Sequence, residues 1–204
     1  MATVTFLLFS VPNVRGQDTD LNNDSFNENN TKVYSTNESP KSEGINITVR
    51  YPSNWASKPG STENSVRTFT KKHSNALTVF VIVIRNLKGN RNLKSKVEVK
   101  KHLESMNFER MVAPKSSLIS GKYTTIDSFP FAFTRSFTRK TSTDSNAIFF
   151  GDSYMTAFRR KVITLQFYTF AAPRVGKEEL IKVHKKLSKT YKNVAHKIDI
   201  DNTF

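Results

Sequence analysis

The sequence predicts an α+β fold in which an antiparallel β-sheet is flanked by two amphipathic helices. Three observations indicate this class: runs with strand-type alternation, hairpin-length connections between them, and two helical stripes of apolar residues. The chain has 204 residues, 37% of them hydrophobic, which suits one domain with a tail. Cysteine is absent, so disulfides, thiolate metal sites and cysteine nucleophiles are excluded.

The N-terminal part predicts export followed by a linker. In residues 1–16, the apolar stretch Val4–Val11 is typical of a secretory signal, with cleavage expected after Gly16. The basic residues that usually precede such a stretch are missing, so we expect that the signal peptide is truncated at its N-terminus. The alternative is an apolar N-terminus that is not a signal peptide. Residues 17–44 are rich in Asn, Ser, Thr and acidic residues and lack periodicity, which predicts a disordered linker.

Residues 45–204 are the predicted folded domain, and its first part reads as strands. Ile45–Pro52 alternates apolar and polar residues, as a half-buried strand does, and the lone Trp55 is expected to close one end of the core. Val66–Thr70 is another alternating run. Ala76–Ile84 is continuously apolar and β-branched, which predicts a central strand covered on both faces.

A helix is predicted next. Ser95–Glu98 has the spacing of a capping box, in which a serine hydroxyl and a glutamate carboxylate satisfy free amides at the start of a helix. A core-facing stripe follows at helical spacing and consists of Val99, Leu103 and Met106.

Strands return after this helix, and a second helix ends the domain. Phe129, Phe131, Phe133 and Phe137 are even numbers of residues apart, so they are expected on one face of a strand. A hairpin is predicted between Ala147–Phe158 and Val162–Phe170, with its turn at residues 159–161. The last helix is expected over 177–194. Its apolar stripe consists of Leu180, His184, Leu187, Tyr191 and Val194.

Short motifs in residues 45–200 resemble PsbP-like and Mog-like domains. These motifs are Tyr51–Trp55, the hairpin entry Thr125–Ala132, and a closing hairpin, helix and short strand ending at Lys197–Ile200. Ser128 stands where the family usually has glycine, and Phe131 intervenes before Ala132. Members of this family share a fold and no catalytic machinery, so the resemblance implies a non-enzymatic binding or scaffold module.

One motif suggests catalysis. Phe149–Tyr154 contains a Gly-Asp-Ser block that resembles GDSL-type esterases, in which Ser153 would be the nucleophile. No Asp-x-x-His follows it, so a serine esterase is the disfavoured alternative, and a bulge or turn at Gly151 explains the block better. Glu98 and His102 have ligand spacing on one helix, but no third ligand is indicated. We expect no catalytic residue, metal or cofactor.

The charge of the folded part is the remaining functional signal. Residues 45–204 carry 29 basic and 11 acidic side chains, a formal net charge of +18. Such a field attracts acidic partners. We therefore predict a secreted or periplasmic module that binds a protein or an acidic envelope component. Polyanion or nucleic-acid binding is the alternative, although the aromatic residues alternate inward rather than among the cations. The candidate contact residues are Arg159, Arg160, Lys161, Lys182, Lys185, Lys186 and Lys189.

Overall fold

The computed structural model describes residues 30–37, 39–141, 146–196 and 199–200, which form ten strands and two α-helices. The predicted signal, residues 1–16, lies outside these ranges. The helices are α1 (Lys96–Glu104) and α2 (Lys177–His196). The strands are β1 (Thr31–Ser35), β2 (Ile47–Pro52), β3 (Ala56–Pro59), β4 (Ser65–Lys72), β5 (Leu77–Asn86), β6 (Ser116–Ile126), β7 (Phe129–Thr141), β8 (Asn146–Phe158), β9 (Lys161–Ala171) and β10 (Asp199–Ile200).

The strands form two antiparallel sheets. The larger has seven strands in the order β3-β4-β5-β9-β8-β7-β6, and the smaller has three in the order β1-β2-β10. The α+β class with an antiparallel sheet and two helices is therefore confirmed. Within the described residues, neither helix is long and apolar enough to cross a membrane.

The strands at the centre of the large sheet lie where the sequence places them. β5 is paired on both sides, by β4 and by β9, as its continuous apolar run predicts. β8 and β9 form one long hairpin that turns at Arg159, whose φ of 52° is in the left-handed region. The β6–β7 hairpin has a two-residue turn, Asp127 and Ser128, with φ of 46° and 61°. Positive φ at both central positions is what a tight hairpin needs.

Helix α2 packs on one face of the large sheet. Strand residues directly opposite each other share a face, so Phe80 on β5 and Phe167 on β9 lie on the same side. The ring of Tyr191 on α2 stacks on Phe167 with centroids 5.0 Å apart. All five residues of the predicted stripe on this helix are buried. Its apolar side therefore closes the core over β8 and β9.

The C-terminal end of α1 lies over the opposite face. Tyr123 on β6 shares that face with Ala132 and Met155, and its hydroxyl donates a hydrogen bond to the carbonyl of Met106 at 3.2 Å. The ring of Phe108 packs against the backbone of Gly121, where a Cβ atom would be 2.5 Å from it. Both faces of the sheet thus carry a covering segment.

Five features of the structure differ from what the sequence predicts. β1 lies inside the predicted disordered linker 17–44 and pairs with β2, so the folded part begins before residue 45. β6 is an eleven-residue strand that no alternation predicts. Helix α1 ends at Glu104, so Met106 lies beyond it, where it packs half-buried against the core. The Ser95 hydroxyl caps this helix, but the Glu98 carboxylate accepts from the amide of Lys94 rather than Ser95.

The fifth difference concerns Gly151. No bulge or turn interrupts β8 there, because its pairing with both neighbouring strands runs through Gly151 without a shift. A Cβ atom at this position would be 2.3 Å from the ring of Tyr168, which lies directly across the strand pair. The glycine is required by this close approach and not by a kink.

We predict that Gly151→Ala destabilises the protein by about 1–3 kcal/mol, because the added methyl group displaces the Tyr168 ring. Urea unfolding measures the change. In a Tyr168→Ala background the same substitution should cost less than about 0.5 kcal/mol, since the obstructing ring is gone. An equal cost in both backgrounds would contradict this explanation.

Candidate functional site

The Gly-Asp-Ser block does not form a serine hydrolase site in the described part of the chain. Asp152 and Ser153 are neighbours on β8 and therefore point to opposite faces of the sheet. His184 approaches the Asp152 carboxylate, with Nε2 3.4 Å from Oδ2, and so lies on the face away from Ser153. The histidine thus cannot take a proton from this serine, which removes the base that the chemistry needs.

Glu98 and His102 on α1 do not gather further ligands. The carboxylate of Glu98 accepts a hydrogen bond from the amide of Lys94 at 2.8 Å. Burial and the nearby charge of Arg91 lower the pKa of His102. No group of three or more potential metal ligands occurs among the described residues.

The acid of the block instead anchors a buried ion pair. The guanidinium of Arg135 on β7 donates two parallel hydrogen bonds to Asp152, at 2.7 Å and 2.8 Å. The two residues are directly opposite in the strand register, which fixes this two-pronged geometry. The side chain of Asp152 is 4% exposed and that of Arg135 is 27% exposed. The pair therefore links the covered core to the protein surface.

A chain of hydrogen bonds lies next to this pair, beneath α2. Nδ1 of His184 lies 3.0 Å from the hydroxyl of Thr169, which is 3.1 Å from the hydroxyl of Tyr191. The Thr169 hydroxyl is also 3.3 Å from that of Thr78, and Nε2 of His73 is 3.0 Å from the Thr78 hydroxyl. The chain joins strands β5 and β9 to the helix. The three hydroxyls and Nδ1 of His184 satisfy one another inside the core, which is a structural role, whereas Nε2 of His184 is buried without a hydrogen bond.

The environment of Asp152 sets its protonation. Burial alone would raise the pKa of this carboxyl, but the hydrogen bonds and charges of Arg135 and His184 outweigh burial and lower the pKa below its ordinary value. The same hydrogen bonds raise the pKa of Arg135. The pair is thus fully ionised at neutral pH.

The basic turn between β8 and β9 is only partly as the sequence predicts. Arg159 and Arg160 are exposed, and the guanidinium of Arg159 lies 5.2 Å from the ring centroid of Phe158. Lys161 differs from the expectation of an exposed cation, because its side chain is 15% exposed and forms an ion pair with Glu43. Its ammonium also donates a hydrogen bond to the side-chain oxygen of Asn86 at 2.6 Å. Lys161 therefore connects β9 to the end of β5 and to the loop that contains Glu43.

A second basic segment, residues 87–96, lies beside this turn. The amide of Leu87 donates to the carbonyl of Arg160 at 2.6 Å, and the amide of Leu93 donates to that of Arg159 at 2.9 Å. Residues 87–96 contain four basic and no acidic side chains. We call the combined exposed cations the basic end, and they are Lys88, Arg91, Lys94, Lys96, Arg159 and Arg160.

Sequence reasoning missed most of the basic end. Only Arg159 and Arg160 were expected as contact residues, since nothing local shows that a loop some 70 positions earlier packs beside their turn. The density of cations in residues 87–96 was the available signal. Lys96 is partly engaged, because its ammonium donates to the hydroxyl of Ser128 at 2.7 Å.

The lysines of α2 form a separate group. Lys182, Lys185, Lys186 and Lys189 are exposed, as predicted. Leu180, near the start of this helix, packs in one apolar cluster with Ala171, the last residue of β9, whereas the basic turn precedes the first residue of that strand. Ten residues of extended strand span about 33 Å. The structure therefore does not bring the two predicted groups of contact residues together.

Among the known proteins compared with this chain, matches occur only to solved structures. No protein-family model matches the chain, and no curated protein sequence matches it. The chain is similar to the solution structure of CyanoP, the cyanobacterial PsbP of Synechocystis sp. PCC 6803, with 13% identity, coverage of 86% of this chain and 95% of that one, and a TM-score of 0.49.

The chain is also similar to LpqN, a Mycobacterium tuberculosis protein involved in cell envelope biogenesis, with 10% identity, coverage of 83% of this chain and 91% of that one, and a TM-score of 0.43. At these identities and scores, the resemblance of the sequence to PsbP-like domains stays a prediction.

We predict that Asp152→Asn lowers the free energy of unfolding at pH 7 by about 3 kcal/mol, because it leaves the Arg135 charge without its partner. The folded-state pKa of Asp152 is below its unfolded value of about 3.9, so its contribution is complete at neutral pH and is lost as pH falls through the folded pKa. The difference between the wild type and the variant should therefore shrink below about pH 4.

Chemical unfolding between pH 7 and pH 2 measures this difference. Asp127→Asn, on the exposed β6–β7 turn, is the matched control and should change stability by less than about 0.5 kcal/mol. A gap between wild type and Asp152→Asn that stays constant down to pH 2 would refute the role assigned to the ionised pair.

Proposed function

We propose that this protein is an exported, non-enzymatic binding module that engages an acidic partner, such as an envelope polymer or an acidic protein surface, through its basic end. The observation that carries the proposal is the pair of backbone hydrogen bonds that hold residues 87–96 against Arg159 and Arg160. They place cations from two distant parts of the chain on one end of the sheet.

The chemistry of this surface supports a polymeric anion. Three of the six cations are arginines, and a guanidinium can donate two parallel hydrogen bonds to a carboxylate, sulfate or phosphate group. The carbonyls of Arg159 and Arg160 are bonded to the neighbouring loop, so the backbone under these cations is fixed. The planar guanidinium is also preorganised, so an arginine loses less conformational entropy for each hydrogen bond than a lysine of α2 would.

The non-enzymatic part of the proposal is supported by the chemistry that the described residues offer. The acid and histidine nearest to Ser153 are engaged with Arg135 and Thr169 in the core, on the other face of the sheet. Export is supported by the apolar stretch Val4–Val11.

The test measures binding of the protein to heparin as a function of salt between about 50 and 500 mM, with duplex DNA and anionic vesicles as further probes. We expect Arg91→Ser, Lys94→Ser and Arg160→Ser together to lower heparin affinity at low salt by about 100-fold. The slope of log affinity against log salt should fall by about 3, one unit for each lost contact.

The matched control removes the same charge from α2 with Lys182→Ser, Lys185→Ser and Lys186→Ser. This variant should keep a slope within about one unit of the wild type, because these lysines lie far from the basic end. Equal losses in both variants would mean that net charge, and not the basic end, governs binding. The absence of binding at low salt would end the polyanion proposal.

A further inference from the structure

The two edges of the seven-stranded sheet differ in how they are protected. Within the described ranges, β3 and β6 are the outermost strands. β3 has four residues and includes Lys58 and Pro59, a short strand with the residue types that commonly block edge pairing. β6 has eleven residues, no proline, and one charged side chain, Lys122. Its outer backbone groups therefore offer a long pairing edge.

The second half of β6 is regular and carries an exposed aromatic ring. A register shift separates Leu118 from Ser120, and pairing with β7 then runs without interruption over residues 120–126. Tyr123 lies at the centre of this stretch and is 40% exposed. It is one of four exposed large hydrophobic residues among those described, and Ile119 on the same strand is another. Exposed apolar residues along an open edge indicate an interaction surface.

We propose that β6 pairs antiparallel with β6 of a second copy of this chain, about a twofold axis that passes through Tyr123. The regular stretch has seven residues, so an antiparallel pairing that uses all of it is centred on residue 123. In this register Tyr123 of one copy lies directly opposite Tyr123 of the other, which gives an aromatic cross-strand pair. Lys122 faces Thr124 of the second copy, so no like charges are directly opposite.

The composition of the edge favours a second copy over an acidic segment of another protein. An acidic strand could form an ion pair with one residue of β6 at most, because Lys122 is the one charged side chain among its eleven residues. Pairing of β6 with a second copy of itself requires no ion pair. The protein carries a formal net charge of +15, so two copies repel each other at long range. Salt screens this repulsion. Self-association should therefore strengthen with salt, which is opposite to polyanion binding and separates the two proposals.

Analytical ultracentrifugation of the full chain, without any polyanion, tests the pairing. We expect a concentration-dependent dimer whose dissociation constant decreases as salt rises from about 50 to 500 mM. Ser120→Lys with Thr125→Lys adds charge to exposed edge positions and should weaken the dimer by at least about tenfold. Ser61→Lys with Asn64→Lys adds the same charge to the β3–β4 turn and should change the constant by less than about twofold.

Disulfide trapping tests the register, and the natural chain has no cysteine to interfere. Opposite residues in an antiparallel pair have Cα atoms about 4.5–5.5 Å apart, within disulfide range. Tyr123→Cys should therefore form a covalent dimer under mild oxidation. Thr125→Cys should not, because the two copies of position 125 would be about 14 Å apart.

A protein that stays monomeric at all salt and protein concentrations would overturn the proposal. A dimer that survives the two lysines on β6 would also overturn it, since another surface would then be responsible. Equal trapping by Tyr123→Cys and Thr125→Cys would contradict the twofold register.

Discussion

A column of four stacked aromatic rings holds the main sheet to its covering helix. Phe69 on β4, Phe80 on β5 and Phe167 on β9 stack with centroids 5.0 Å and 4.5 Å apart, and Tyr191 on α2 continues the stack at 5.0 Å. Each ring is buried, so the column combines a large apolar area with favourable ring geometry. Trp55 meets Tyr191 edge-on and closes the end of the column. Backbone pairing joins β4, β5 and β9, and this column determines where α2 lies over them.

This packing also determines which charges lie together. The Tyr191 hydroxyl bonds to Thr169 near the C-terminal end of β9, so α2 crosses the sheet at that end. The β8–β9 turn lies at the other end, where its carbonyls bond to the loop after β5. The lysines of α2 and the basic end are therefore separated by the length of a strand. The exposed lysines of α2 and the basic end are therefore separate surfaces, and the basic end combines cations from two distant parts of the chain.

Much of the fold could be predicted from the sequence, because local patterns determine it. The apolar run of β5, the β8–β9 hairpin and the buried stripe of α2 all follow from period and composition. β1 and β6 could not be predicted, since both are polar edge strands whose partners supply the pairing energy. The basic end was predictable only at its turn. The loop 87–96 is irregular, and its place beside Arg159 is fixed by tertiary hydrogen bonds that no local pattern encodes.

The claim that an acidic partner meets the basic end, and not α2, is tested most directly by an NMR titration of the isotopically labelled protein with a heparin-derived oligosaccharide. We expect the largest amide shift changes in residues 87–96 and 158–161, with saturation at low salt and reversal at high salt. Residues 182–189 should change little. The largest changes along α2, or small changes spread evenly over all lysines, would contradict the claim.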